Sequence, residues 1–274
     1  MVVEKKPENV DMNIRLSKRE QVKDLFADIR LNPDKYLFIH YSSESFNDND
    51  GVARPLSISI SNMKCDEIKT FSILNEAILK GIRQEDIAGC ISILELNMLI
   101  KCFEYIKTLN PEYYKFLHWH MKSSRYGFDV LTLRYEALVG SNDYANVFDR
   151  FNKINIATKF KDFYGDRYID KKRMPNLIKK NKLESPDMQK NNQELLKLGK
   201  YRELQGSFNA RYEAILRIIT LALEGRLKTN YNIIDRYGFN PAGIFEAIKD
   251  DWRLALASAI VWLFISIIVN TLFF

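Results

Sequence analysis

YLFIHY (residues 36–41), LSISIS (residues 56–61) and EIKTFSI (residues 67–73) are the three segments that decide the fold of this 274-residue chain. The first is a compact apolar and aromatic run of the kind that forms a buried strand, and the other two alternate apolar with polar residues. Polar stretches separate the three segments, so the chain can reverse direction between them. The three segments therefore predict a meander of three strands.

Helical and strand-like patterns follow the meander. An amphipathic stretch over 86–109 has apolar residues at helical spacing and precedes Pro111. KFLHWHM (115–121) predicts a fourth strand, and 125–140 predicts a helix closed by glycine. Further helices are expected over 75–82, 149–164, 174–181 and 207–227, with a linker loop over 183–194. This order predicts an α/β (α+β) fold in which helices cover a mixed sheet.

The chain divides by composition into four parts. Residues 1–35 are charged and predict a short helix from Ser17 to Ile29, residues 36–228 form the folded domain, and residues 229–251 form a connector that ends in a juxtamembrane helix. Residues 252–274 form an apolar tail. The N-terminus has no apolar core behind its charges, and the three cysteines lack metal or disulfide spacing. We therefore expect a reducing, cytosolic location for the head.

WRLALASAIVWLFISIIVNTLFF (252–274) contains one charged residue, Arg253, at its start. About 20 helical residues cross the hydrocarbon core of a bilayer, so the length fits a single transmembrane helix. Lys249 and Arg253 precede the segment and no basic residue follows it. Because positive charges stay on the cytosolic side, we expect a bacterial inner-membrane protein with one span and its N-terminal part in the cytoplasm.

Polar residues recur every four positions within the tail: Ser258, Trp262, Ser266 and Asn270. This spacing places them on one helix face, and polar groups in a membrane usually face protein or water. The stripe is consistent with a pore-lining face in a homo-oligomer, with simple helix dimerisation, or with serines that bond their own backbone.

Basic residues cluster between residues 159 and 182, and aromatic residues stand beside them at Phe163, Tyr164 and Tyr168. Cations pair with phosphates and aromatic rings stack on bases, so this segment is a candidate surface for single-stranded nucleic acid. The competing interpretation is a solvated helix face above core aromatics. The candidate contacts are Lys161, Tyr164, Arg167, Lys171, Lys172 and Arg173.

His118 and His120 flank Trp119 on the predicted fourth strand. Residues two apart on a strand point to the same side, so the pair could together contact a base or a metal. The alternative, which we favour, is that one ring packs inside and the other meets solvent. We expect no cofactor and no catalytic or metal site, since no phosphate-binding glycine loop, nucleophile elbow or metal-ligand spacing is present.

The order of elements resembles the DEDD exonucleases of the ribonuclease-H-like superfamily. HYSSES, with Ser42 and Glu44, stands where that family has an acidic pair, and Phe128 with Asp129 is the nearest match to its second motif. FNARY (208–212) opens the late helix without the family's acid. Two-metal hydrolysis needs several converging carboxylates. The resemblance therefore implies a ribonuclease-H-like fold that binds nucleic acid without cleaving it.

A nucleic-acid-binding head on a membrane helix is similar in plan to the membrane effectors of Hailong-type anti-phage systems. That resemblance implies a cytosolic domain that binds an oligonucleotide or nucleotide signal, an enzyme that makes the signal, and a homo-oligomeric channel in the bilayer. Two alternatives remain open. One is a membrane-tethered nuclease that uses Glu44, Asp129 and His118 with magnesium, and the other is a non-catalytic membrane scaffold.

Overall fold

A five-stranded mixed sheet is central to the computed structural model, which describes residues 7–44, 53–121, 126–230, 237, 241–250 and 252–273. The spatial order is β3-β2-β1-β4-β5, and β2 runs antiparallel to both neighbours while β4 and β5 run parallel to β1. The predicted mixed sheet is confirmed. The strands are β1 (Tyr36–Ser43), β2 (Pro55–Asn62), β3 (Ile68–Ser72), β4 (Lys115–His118) and β5 (Asn152–Asn155).

The helices follow the predicted order with changed boundaries. They are α1 (Pro7–Leu31), α2 (Ile73–Leu79), α3 (Ile87–Thr108), α4 (Phe128–Val139), α5 (Ile156–Tyr164), α6 (Arg173–Lys180), α7 (Asn192–Lys197), α8 (Tyr201–Leu223), α9 (Pro241–Asp250) and α10 (Trp252–Phe273). Short 3-10 turns lie at Pro33–Lys35, Gln84–Asp86 and Pro186–Gln189. Gly140 ends α4 in the left-handed conformation, with φ of 76°, as the sequence predicted.

Alternation along β1 places different residues on the two faces of the sheet. Leu37, Ile39 and Tyr41 belong to the main apolar core, which also contains α3 and α4 residues. Phe38 lies on the opposite face and packs against Tyr212 of α8, with ring centroids 5.3 Å apart. The sheet is therefore a middle layer with helices on both faces.

Local pattern misled the predictions in four segments. NKIN (Asn152–Asn155) was predicted as part of a helix, but it forms β5 because Phe116 and Leu117 of β4 pair with Lys153 and Ile154. The predicted linker over 183–194 contains a 3-10 turn and the start of α7. Helix α1 is longer than predicted, and α8 begins at Tyr201 instead of Ser207. In β5, pairing with β4 overrides the weak local propensity of the sequence.

The chain forms two compact units that alternate along the sequence. The smaller unit comprises the described residues of Met1–Asp24, Phe160–Asp170 and Thr229–Phe274. The larger unit comprises those of Leu25–Lys159 and Lys171–Lys228, and it contains the sheet. The four continuous parts predicted from composition differ from this division, because each unit combines segments that are far apart in the chain.

Candidate nucleic-acid interface and membrane helix

At one edge of the sheet in the larger unit, β4 and β5 end level with Ile39 of the parallel strand β1, which itself continues to Ser43. Ile39 of β1 pairs with His118 of β4, and His118 pairs with Asn155 of β5. Ligands of open α/β sheets bind beyond the carboxyl ends of the strands, so this edge is the candidate site. We call it the strand-end surface and define it by His40, His120, Asn155, Arg173 and Arg211.

The two predicted histidines have different environments. His118 is fully buried, its Nδ1 accepts a hydrogen bond from the Met121 backbone N–H at 3.1 Å, and its ring meets Phe128 edge-on. His120 is exposed, and Asn155 Oδ1 accepts from its backbone N–H at 3.3 Å. The preferred interpretation, one packed ring and one solvated ring, is confirmed. His118 is not accessible to nucleic acid because its side chain is fully buried. His120 follows the end of β4, so the same-side arrangement expected for a longer strand does not apply.

His120 lies in the electric field of Arg173, the first residue of α6. Partial burial and this cation lower the pKa of His120 below its usual value, so the ring is neutral at pH 7. Lys171 and Lys172 precede Arg173 and are exposed. Lys172 adopts a left-handed backbone conformation with φ of 59°, which is uncommon for lysine.

The rest of the predicted basic segment lies in the smaller unit. Lys161 forms an ion pair with Asp166 at 2.9 Å, and Arg167 is exposed. Tyr164 is 4% exposed and Tyr168 is fully buried. A buried ring cannot stack on a base, so Tyr164 is not available for the role that the sequence pattern predicted. The cations Lys161 and Arg167 stay accessible.

Two aromatic rings of the smaller unit pack against the buried side chain of Arg19. Its guanidinium is 2% exposed and lies between the rings of Phe163 and Tyr237, 4.7 and 4.6 Å from their centroids. Its Nη2 also donates to the Tyr237 hydroxyl at 3.3 Å. Desolvated cation–π contacts of this kind stabilise a buried cation. Phe163 of the 159–182 segment thus packs, together with Tyr237, against a buried arginine from α1.

Arg211 and His40 complete the strand-end surface, and the sequence patterns did not predict them as ligands. Burial and the Arg211 cation lower the pKa of His40 to about 4, so this imidazole is also neutral at pH 7. Arg211 is exposed on α8. The available signal was the arginine in FNARY (208–212), near the start of the predicted late helix.

The carboxylates considered for metal binding are engaged otherwise. Arg54 Nη1 lies 2.8 Å from Glu44 Oε1, and Arg54 Nε lies 3.0 Å from the buried Glu95. Arg134 adds two hydrogen bonds of 2.7 Å to the same Glu95 carboxylate. The charge of Glu44 is thus balanced by a guanidinium. Asp48 and Asp50, close to Glu44 in the sequence, lie outside the described residues.

Asp129 lies near the start of α4 and is exposed. It borders a cavity of about 240 Å³ together with His118, Phe128 and Lys153. Across the described ranges, no group of three or more histidine, cysteine, aspartate or glutamate side chains is placed to hold a metal ion. Two-metal hydrolysis requires several converging carboxylates, and the described lining of this cavity supplies one, Asp129.

Helix α10 is long and apolar enough to cross a membrane. Its Arg253–Asn270 stretch has a mean hydropathy of 2.0 and none of it is buried in the protein. Within the predicted stripe, the Ser258 hydroxyl donates to the Ala255 carbonyl at 2.8 Å, and Trp262, Ser266 and Asn270 are exposed. The stripe therefore keeps three side chains available for contact with another helix, with lipid or with water.

Comparisons with protein-family models, with curated proteins and with solved structures found no match. The functional proposal therefore rests on the residues of this chain.

Proposed function

We propose that this chain is a membrane-anchored effector of bacterial anti-phage defence, whose folded head binds a nucleic-acid or nucleotide signal and thereby gates an oligomeric transmembrane pore. The observation that carries the proposal is the presence, in one chain, of a cationic strand-end surface and an unburied apolar helix of 22 residues. The strand-end surface recognises a soluble anionic ligand, and the apolar helix requires a bilayer.

The charges around α10 support an orientation with the head in the cytoplasm. Lys249 lies at the end of α9 and Arg253 at the start of α10, and both are exposed. Basic residues near the end of a span remain on the cytosolic side. A single helix cannot enclose a pore, so the proposal requires a homo-oligomer in which the Ser258, Ser266 and Asn270 face lines the channel.

The finer fold assignment is also a proposal. Three strands in a meander, two helices, a strand parallel to β1 and a further helix follow one another in the order on which the ribonuclease-H-like resemblance was based. The contact between Arg54 and Glu44 supports a domain of that class that binds without cleaving. Ion-paired carboxylates are poor candidates for holding two divalent cations.

Dye release from liposomes tests the gating. We expect that full-length protein reconstituted in vesicles releases a small dye, and that a single-stranded oligonucleotide changes the rate. Changing Ser258, Ser266 and Asn270 together to leucine should abolish release, because a wholly apolar face cannot hold water in a pore. The measurement is fluorescence dequenching of the trapped dye at a matched protein-to-lipid ratio.

A conservative triple change provides the matched control for that experiment. Ile260, Val261 and Ile268, which are exposed on the same helix, are changed together to leucine and should leave dye release unaltered. Absence of release under every condition, with or without oligonucleotide, would contradict the pore. Release that persists in the variant without the three polar side chains would show that they do not line it.

Nucleic-acid binding by the head gives a separate prediction. Changing Lys171, Lys172 and Arg173 together to alanine should weaken binding of a labelled single strand at least about tenfold at low salt, because phosphate contacts dominate affinity. Each lost phosphate contact lowers the slope of log K against log salt by about 0.7, so the slope should fall by about 2. Fluorescence anisotropy across a salt series measures both quantities.

The control removes three cations from the opposite edge of the sheet. Lys35 precedes β1, Lys64 follows β2 and Lys69 is in β3 at the position paired with Ile60. This triple alanine variant loses the same charge, and we expect its affinity to change less than about twofold, since distant charges are screened. Equal losses in the two variants would indicate general electrostatic attraction instead of a site.

A further inference from the structure

His40 lies between the sheet and α8. It shares a face of β1 with Phe38, whose carbonyl accepts a hydrogen bond from the Tyr212 hydroxyl at 3.1 Å. Across the sheet it pairs with Ser59 of β2. The side chain of His40 is half-buried, so part of it is accessible to solvent.

Tyr126 holds the imidazole of His40 in place. Its hydroxyl donates to the Tyr41 carbonyl at 3.0 Å and lies 2.8 Å from His40 Nδ1. The rings of Tyr41 and Tyr126 stack with centroids 4.4 Å apart, and the Gly127 N–H donates to the Tyr41 hydroxyl. A tyrosine hydroxyl has one hydrogen, so the network assigns the His40 proton to Nδ1. His40 Nε2 is then the atom left for a ligand.

Arg211 supplies a positive charge without a protein counter-charge. Its guanidinium makes no ion pair or hydrogen bond with any residue in the described ranges, whereas Arg54 and Arg134 are both paired with Glu95. Partial desolvation lowers the pKa of Arg211 from its usual value, yet it remains a cation at pH 7. An anionic ligand would stabilise this uncompensated charge.

We propose that Arg211 and His40, with Tyr126 positioning the imidazole, form a binding subsite for one phosphate group of a nucleotide or nucleic-acid strand. Arginine presents a planar fork of donors that matches phosphate oxygens, and a protonated His40 adds a further donor at Nε2. This inference deepens the proposed function and rests on it, since it names the group that the head recognises.

The neighbouring residues favour phosphate over an isolated carboxylate. His120 lies at the same edge of the sheet and in the field of a second arginine, Arg173. Two arginine–histidine pairs along one edge match a repeating anion such as a phosphodiester backbone. A nucleic-acid strand and a free mononucleotide both carry phosphate groups, and the competition experiment below distinguishes these two ligands.

Changing Arg211 to glutamine tests the subsite. We expect this substitution to weaken binding of a labelled single-stranded oligonucleotide about tenfold, because it removes a charge-assisted contact and keeps the side chain polar. The full-length protein in detergent is titrated by fluorescence anisotropy. Unlabelled 5′-mononucleotide and inorganic phosphate are used as competitors, so that a strand-specific subsite and a general phosphate subsite give different competition.

Arg217 on the same helix supplies the matched control. It is 45% exposed and lies 3.8 Å from Glu224, so Arg217→Gln removes the same charge away from His40. We expect less than a twofold change for this variant, as surface charges contribute weakly. Circular dichroism spectra and unfolding temperatures should be the same for both variants, which separates loss of a contact from loss of the fold.

A pH series provides a second measurement, specific to His40. The charged group whose electric field acts on His40 is Arg211. The uncharged neighbours of His40 are Tyr126 and Ser59. A bound phosphodiester raises the pKa of His40 from its low starting value, so binding takes up a proton. Affinity should therefore rise as pH falls, by about tenfold between pH 7.5 and 5.5. His40→Asn should remove this rise, whereas the control Arg217→Gln should preserve it.

The outcomes separate the subsite from the wider proposal. A wild-type chain that binds the strand, an Arg211→Gln variant that binds as tightly as Arg217→Gln, and a pH series unaffected by His40→Asn would overturn the subsite and leave nucleic-acid binding intact. A wild-type chain that binds neither the strand nor the mononucleotide would overturn both. Competition by mononucleotide and by inorganic phosphate as strong as by the unlabelled oligonucleotide would support the subsite and identify it as a general phosphate subsite.

Discussion

A chain that ends at Asp250, without α10, is expected in the supernatant after high-speed centrifugation of lysed cells, whereas the full-length chain is expected in the membrane pellet. Residues 252–274 include thirteen Leu, Ile, Val or Phe residues. At about 0.3–0.6 kcal/mol each, they favour the bilayer by about 4–8 kcal/mol. Loss of this free energy should move nearly all of the protein between fractions, as measured by immunoblotting of both.

A double substitution gives the same test without shortening the chain. Ile260 and Leu263 are near the middle of α10 and are exposed. Changing both to aspartate costs about 2.5–3.5 kcal/mol at each position, so the variant should also appear in the supernatant. Leu31→Asp, at an exposed leucine of α1, is the matched control and should stay in the pellet. Full-length protein that remains in the supernatant without detergent would contradict the membrane anchor.

Glu95→Ala is expected to cause the largest loss of stability in the larger unit. Glu95 is fully buried and receives hydrogen bonds from both Arg54 and Arg134. Removing one partner of a buried ion-pair network leaves uncompensated charges and costs about 3–5 kcal/mol. At roughly 2–4 °C per kcal/mol, the unfolding temperature should fall by about 10 °C. Circular dichroism during heating of the detergent-solubilised chain measures the shift.

A surface ion pair provides the control for Glu95. Asp187 lies 2.8 Å from Lys190, and both side chains are at least one third exposed. Surface pairs contribute about 0–1 kcal/mol, so Asp187→Ala should shift the unfolding temperature by less than about 3 °C. If Glu95→Ala and Asp187→Ala gave equal shifts, the network around Glu95 would not hold β2, α3 and α4 together.

The basic and aromatic pattern over 159–182 shows why the candidate site was predicted only in part. Sequence spacing identifies which residues have cations and rings, and it placed Lys171, Lys172 and Arg173 in an exposed stretch where the structure also has two exposed lysines. Spacing does not show which rings are buried. Tyr164 packs inside the smaller unit, so its role as a stacking surface is lost.

Arg211 and His40 could not be paired from sequence because 170 residues separate them in the numbering. Local patterns describe one element at a time, and the proximity of a β1 residue to an α8 residue depends on how the helix crosses the sheet. Strand β5 was not predicted for the same reason, since it depends on a partner that is distant in the sequence. Its four polar and apolar residues acquire their conformation from parallel pairing with β4.

The sequence by itself determined the elements with strong periodicity: the meander of β1, β2 and β3, the long helices α3 and α8, and an apolar terminal helix long enough to span a bilayer. These features follow from side-chain spacing and composition, which are local properties. Only the tertiary structure decided which cations lie together at the sheet edge, which rings are buried and which carboxylates are already paired, because these depend on contacts between residues distant in the chain.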